Sequence, residues 1–417
     1  MDNQELFEKT PVKRALLKLA LPTIISQLIL LLYNLADTFF IGRTGNPYMV
    51  AAVSLMLPVY NICLAFANLY GVGGGSLISR LLGVKRHDEA KKVCAYSFYK
   101  AILAAGLFSL AILIFMDPLL RFLGASDQTV EFARQYAFYT IVIGAIPSVL
   151  TITMANLIRS VGCASQAATG NSLGCLLNIA LDPLFMFVIL PKGMEVQGAA
   201  IATMLSNVIA MIYFLFQFKK LKKTTSLSLS IHEGKPDHDS IRAIYAVGIP
   251  SGLSMLLYDI TNIVIDKLSA GYGDIAVAAI GIVLKAERVP LNIGVGICMG
   301  MMPLAAYNYS SGNRKRMHEV LSFSRILGIS ISLLCIVLYE VFAGLIMQIF
   351  INDATTIAYG VQFLRARCLA SVVMFMCFNY VFFLKPSGRV IFHCFWLWSG
   401  SWDLISRFCS SSIIFWV

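Results

Sequence analysis

Long apolar runs separated by short polar segments organise the whole chain. The runs lie near residues 15–41, 50–79, 94–116, 133–157, 163–190 and 196–218, then near 242–268, 275–306, 320–350 and 361–384. Each is as long as the roughly 17–25 residues that a helix needs to cross bilayer hydrocarbon. Strict alternation of apolar and polar positions, the mark of a transmembrane barrel, is absent. In lipid only helices and closed barrels satisfy their own backbone hydrogen bonds. The pattern predicts an all-α polytopic membrane protein.

Composition agrees. Hydrophobic residues make up 58% of the 417 positions and charged residues only 13%, against about 25% charged in a soluble domain. The N-terminal MDNQELFEKTPVKR is polar, so no cleavable signal peptide is expected and the first span should serve as its own insertion signal. The ten cysteines are scattered without a Cys-x-x-Cys pair and read as reduced packing residues.

The net charge of +11 is distributed as a membrane topology signal, which argues against nucleic acid as a partner. Basic residues cluster at the N-terminus (Lys9, Lys13, Arg14, Lys18) and after the second run (Arg80, Lys85, Arg86, Lys91, Lys92). They return in the central linker (Lys219, Lys220, Lys222, Lys223) and after the eighth run (Arg314, Lys315, Arg316). The intervening loops are poorer in bases or balance them with acids. The positive-inside rule then puts the N-terminus and the linker in the cytoplasm of a protein of the plasma (inner) membrane.

Six runs, a basic linker and further runs suggest an internal duplication. KRALLKLALPTIISQLILLLYN (13–34) parallels IRAIYAVGIPSGLSMLLYDITN (241–262), with Pro22 on Pro250 and Asn34 on Asn262. Gly45 then falls on Gly273, and VAAVSL (50–55) parallels VAAIGI (277–282) with a one-residue slip. An even number of spans gives both halves the same orientation, related by a pseudo-two-fold axis along the membrane normal. The expected division is a six-helix bundle over 1–218, a linker over 219–240, a second, pseudo-symmetric bundle over 241–388 and a tail over 389–417.

Two carboxylates interrupt apolar runs: Asp37 in LLYNLADTFFIG and Asp182 in LLNIALDPLFMFVIL. A carboxylate at the centre of a spanning helix costs roughly 2.5–3.5 kcal/mol to insert, so it usually faces water or a partner. Asn34 precedes Asp37 by about one turn and Asn178 precedes Asp182 likewise, so each amide shares a face with its carboxylate. Topology puts Thr203 at a similar depth. These five side chains are expected to converge in the first bundle as an oxygen-rich set suited to Na⁺ or a shared proton. Simpler readings stand beside this one. Asp37 would be a helix-end residue in interfacial water. Asp182 with Pro183 would be a kink whose carboxylate satisfies freed backbone donors. Asn34, Asn156 and Asn178 would be interhelical hydrogen-bonding residues.

The second half offers Asp259, Asp266 and Glu287 as candidates for a substrate cavity. Glu287 lies between Lys285 and Arg288, which are expected to neutralise it; facing a substrate cation is the alternative. The 27 Phe, 17 Tyr and 17 Met would suit bulky lipophilic cations. GVGGGSLISRLLG (71–83) lacks the Gly-Lys-[Ser/Thr] of a phosphate loop and reads as a close helix contact. The five histidines (His87, His232, His238, His318, His393) lie in loops or the tail, so an enzyme is not expected.

YNLADTFFIGRTGN, GVGGGSLISRLLG, ANLIRSVG, NIALDPLFMFV, VQGAAIATMLSN and MPLAAYNYSSGN together resemble the multidrug and toxic compound extrusion (MATE) family, in its MepA-like branch. The resemblance covers about residues 9–388. It implies two six-helix bundles in a V-shaped antiporter that exports organic cations in exchange for Na⁺ or H⁺, without a further cofactor. It also implies that Asp37, Asn178, Asp182 and Thr203 form the ion site, with Asn156 nearby.

The chain departs from that pattern at its end. Ten spans are legible where the family has twelve, leaving four to five for the second bundle. LIRSVG (157–162) should be echoed by FLKPSG (383–388), and beyond Gly388 the echo is lost. All four tryptophans (Trp396, Trp398, Trp402, Trp416) follow, in a tail expected to lie outside the family pattern through a shifted frame or truncation and to supply at most one hydrophobic segment. The expected function is a monomeric, lipid-embedded multidrug antiporter. The alternatives are a lipid-linked oligosaccharide flippase of similar build and an inactive truncated transporter.

Overall fold

The computed structural model describes residues 3–270, 274–351 and 353–385, with side chains described except at 3–4, 255–270, 274 and 276–278. In chain order the helices are α1 (Asn3–Glu8), α2 (Val12–Gly42), α3 (Pro47–Gly83), α4 (His87–Ile114), α5 (Met116–Phe122), α6 (Val130–Ala137) and α7 (Ala145–Ser160). They continue as α8 (Ala164–Leu184), α9 (Glu195–Leu221), α10 (His238–Ala270), α11 (Asp274–Ser310), α12 (Arg314–Phe350), α13 (Ala354–Cys368) and α14 (Ser371–Leu384). No strand occurs among the described residues.

The apolar runs became these helices. Among the described residues seven are individually long and apolar enough to cross a membrane, and two bent pairs raise the number to nine. One pair is α6, with its π turn Phe138–Ile143, bent by 49° into α7; the other is α13, bent by 44° into α14. The backbone of α10 covers the remaining run. Local chemistry sets several starts. Asn46 Oδ1 accepts from the Tyr48 N–H ahead of α3, with Pro47 in the first turn, and Asp353 Oδ2 accepts from the Thr356 N–H ahead of α13.

The surface is that of a lipid-solvated protein. Leu103, Leu107, Leu110 and Ile114 form one stripe on α4, 50–63% exposed, while Ala101, Ala105, Ser109 and Ile112 on the other side are buried. In water such a stripe would be covered; against lipid tails it loses nothing.

The polar linker is more ordered than its composition predicts. Leu227 is buried in the main core, the Tyr99 hydroxyl donates to Leu229 O at 2.8 Å, and His87 Nδ1 lies 2.9 Å from Ser226 Oγ. TTSLSLS places its leucines at alternate positions, so an extended segment lays them along α4.

The two halves meet where α3 crosses α10 and α2 crosses α11. A Cβ on Gly248 would stand 2.2 Å from Leu69 O, and one on Gly73 2.4 Å from Ile244 O. A Cβ on Gly300 would stand 2.7 Å from the Ala20 Cα, and one on Gly296 2.8 Å from the Ile24 Cα. The contacts are reciprocal: in the register that places Pro22 on Pro250, Ala20 falls on Gly248, and the VAAVSL register places Gly73 on Gly300. All lie toward the ends of α2, α3, α10 and α11 that carry the basic clusters. At the opposite ends Gly42, Gly45 and Gly281 have open space beside them. The glycine-rich stretch at 71–83 is thus a helix-contact surface.

Alanine should separate these two kinds of glycine. Gly248→Ala pushes a methyl into the Leu69 carbonyl and is expected to cost about 1–3 kcal/mol. Gly281→Ala meets open space and should gain up to about 1 kcal/mol of helix propensity. Melting temperatures in detergent should therefore move in opposite directions.

Candidate ion site

α8 carries Asn178 and Asp182 one turn apart, and α9 packs beside it and presents Thr203. Asp182 has no exposed surface; Asn178 and Thr203 are 2% and 6% exposed. The Asn178 amide lies between them. In one orientation its Nδ2 donates to Thr203 Oγ1 at 3.1 Å and its oxygen faces Asp182. Turned over, Nδ2 donates to Asp182 Oδ2 at 2.8 Å, while Oδ1 accepts from Thr203 Oγ1 at 3.1 Å and Thr203 N at 3.2 Å. The second orientation pairs every donor with an acceptor. The first sets an amide oxygen against a carboxylate, an arrangement that calls for a cation or a proton between them.

Pro183 follows the buried carboxylate directly. It cannot donate to the α8 ladder, and the span ends in a π turn at Phe185–Ile189. No described hydrogen bond joins the Asp182 carboxylate to a backbone donor. Its described partner is Asn178.

Asp37, near the end of α2, is half-buried, and its charge reaches Asp182. Both charges also reach Tyr33 on α2 and Tyr136 on α6. Two carboxylates within reach in a low-dielectric interior attract a cation between them. The donor set of two carboxylates, an amide oxygen and a hydroxyl is oxygen only, which fits a hard cation such as Na⁺. Among the described residues no cluster of three or more His, Cys, Asp or Glu side chains gathers for a metal, here or elsewhere.

Other expected members stand apart. Asn34 is exposed, the Thr38 hydroxyl donates to its carbonyl at 2.9 Å, and no described hydrogen bond uses its side chain. Asn156 is buried but bonded within α7: Nδ2 donates to Ile152 O at 3.1 Å, and Oδ1 accepts from Arg159 Nη1 at 2.7 Å. It packs against Gly71 of α3 instead of joining Asn178. In the second half Glu287 is 8% exposed and pairs with Arg367 of α13, whose Nη2 lies 2.7 Å from Oε2. The expected partners Lys285 and Arg288 are both exposed, because positions two before and one after do not share a helix face with Glu287. Asp259 and Asp266 lie on α10, where their side chains are outside the described residues.

Sequence reasoning passed over Tyr33, Tyr136 and Arg367. Tyr33 was within reach, one turn before Asp37 on the same helix. Tyr136 and Arg367 come from distant runs and gave no local signal.

A buried carboxylate inside a bundle of lipid-exposed helices fits an integral membrane transporter. The chain matches the MatE family profile over residues 22–184 and 250–400. It belongs to the MatE family and resembles its MepA members. The multidrug export protein MepA of Staphylococcus saprophyticus is 29% identical over 92% of this chain and 83% of its own length. That of Staphylococcus aureus is 34% identical over 76% of this chain and 68% of its own. A crystal structure of MATE in the straight conformation superposes with a TM-score of 0.87, at 24% identity over 94% of this chain and 86% of that one. An outward-facing multidrug resistance MATE family transporter does so with 0.87, at 25% identity over 93% and 85%. The family match runs on to residue 400, past Gly388 and into the tail, which lies outside the described residues.

The Asn178–Thr203 contact can be measured directly. Thr203→Val leaves a buried amide short of a partner and is expected to cost about 1–3 kcal/mol. Asn178→Leu combined with Thr203→Val should cost less than the sum of the single changes, in a double-mutant cycle of detergent melting.

Proposed function

We propose that this transporter exports lipophilic organic cations in exchange for Na⁺ or H⁺. The observation that carries the reading is the buried Asp182–Asn178–Thr203 network with Asp37 in electrostatic reach. The names of the MepA relatives, multidrug export proteins, support the substrate class.

The Asn178 amide ties Asp182 on α8 to Thr203 on α9. A cation or proton bound at Asp182 competes with the amide Nδ2 for the carboxylate. Occupancy thus changes how α8 is held to α9, which biases one cavity orientation. Substrate binding that favours the other orientation gives exchange.

The two bundles, 1–218 and 241–388, are read as the moving bodies. The basic clusters support a cytoplasmic N-terminus and linker, and with them the close-packed ends of α2, α3, α10 and α11. A monomer surrounded by lipid suffices, since each half covers the other. The flippase alternative needs a cationic cavity for pyrophosphate, and the acidic pair opposes it.

Asp182→Asn should abolish ethidium efflux driven by an imposed Na⁺ or proton gradient in proteoliposomes, while the amount of inserted protein stays at the parent level. Gradient-driven efflux retained in that variant would remove Asp182 from the coupling role. Comparing the two gradients separates Na⁺ from H⁺.

A further inference from the structure

Glu287 and Arg367 support an inference that rests on the proposed export of cations. Glu287 lines a narrow recess with Pro290, Leu291, Met374, Phe375 and Phe378. As it stands the recess holds about 10 Å³, room for roughly one water, so its carboxylate, aromatic rings and methionine meet a lipophilic cation only when α14 moves off α11. That carboxylate is already engaged. Arg367 Nε and Nη2 donate to Glu287 Oε2 at 3.0 and 2.7 Å, and no described hydrogen bond ends on Oε1. Arg367 sits in the last turn of α13, just ahead of the bend into α14. α12 holds the same turn of α11 in place, through the Tyr339 hydroxyl bonded to Ala286 O at 2.6 Å.

We propose that Arg367 is a built-in counter-cation that sets the charge preference of this recess. It neutralises Glu287, so a monovalent lipophilic cation gains little there. The Asp37–Asp182 pair is left as the anionic site with no Lys or Arg paired to it among the described residues. A guanidinium stays protonated at any physiological pH, so an entering cation competes with a tethered one.

Tetraphenylphosphonium binding to the purified full chain in detergent tests this. R367Q is expected to tighten binding about tenfold, or roughly 1.4 kcal/mol, and adding E287Q should remove the gain. If R367Q does not fold, R367K, which keeps the charge but loses the planar fork, should bind about threefold more tightly than the parent. Unchanged or weaker binding in the folded variant overturns the role of Arg367 and leaves the export reading standing. No binding in the parent or any variant overturns both.

A separate observation concerns α1. Leu6 and Phe7 are 2% and 1% exposed. Phe7 stacks on Tyr307 of α11 with ring centroids 4.9 Å apart, and its ring covers Gly162 in the α7–α8 turn. The Tyr307 hydroxyl donates to Glu8 Oε1 at 2.6 Å, and Arg316 of α12 donates to Phe7 O at 2.8 Å and Thr10 O at 2.5 Å. One short helix thus grips α11 and α12 of the second half while lying against the first. We infer that α1 is a strap across the basic ends of the two halves, which must let go before that end opens.

Spin labels at Val84→Cys and Arg314→Cys, on the α3–α4 and α11–α12 turns, report the separation by pulsed electron resonance. The parent should give one short distance. Phe7→Ala and Arg316→Gln should each add a longer-distance population. Tyr307→Phe, which keeps the stacking and loses the Glu8 bond, should add a smaller one. An unchanged single distance in all folded variants overturns the strap.

Discussion

A carboxylate with no exposed surface, set among helices that face lipid, is the constraint on which the rest of this structure turns. Left alone, Asp182 would be too costly to keep in hydrocarbon. The fold meets that cost with neighbours. Asn178 one turn earlier and Thr203 from the next helix form a fully paired network, and Asp37 adds a second negative charge within reach. A site assembled this way is stable only when a cation, a proton or an amide donor answers the carboxylate. Its occupancy and the packing of α8 against α9 are therefore linked.

The two halves are joined by a different kind of contact. Backbone meets backbone where Gly73, Gly248, Gly296 and Gly300 leave no room for a methyl group. In lipid no hydrophobic force drives helices together, so close packing of small residues carries the association. These contacts lie at one end of the molecule, together with α1, while Gly42, Gly45 and Gly281 at the opposite ends have open space beside them. The buried Asp182–Asn178–Thr203 network is in the first half, away from this seam.

The fold class and the members of the buried Asp182–Asn178–Thr203 network were legible in the chain. Hydrophobic run lengths located the spans, because lipid leaves the backbone no alternative to the helix. Asp182, Asn178 and Thr203 were legible because a polar residue in such a run must be answered, and helical periodicity says which neighbours can answer it. The same periodicity misled at Asn34, since sharing a face with Asp37 does not decide which way that face turns. Asn156 bonds within its own helix to Arg159, a choice made by packing against Gly71. Glu287 found its partner in Arg367, 80 positions away, and no local rule reaches that far. The linker lies along α4 although its composition is polar, because alternate leucines gave it an apolar edge.

By itself the sequence determined that this is a helical membrane protein with costly carboxylates near Asn and Thr, because those features follow from lipid solvation and helix periodicity acting within one segment. Only the tertiary structure decided which of those residues meet, that Asn178 lies between Asp182 and Thr203, that Arg367 occupies Glu287, and that α1 grips both halves. Each of these depends on two segments far apart in the chain arriving at one place, and that is set by how the helices pack.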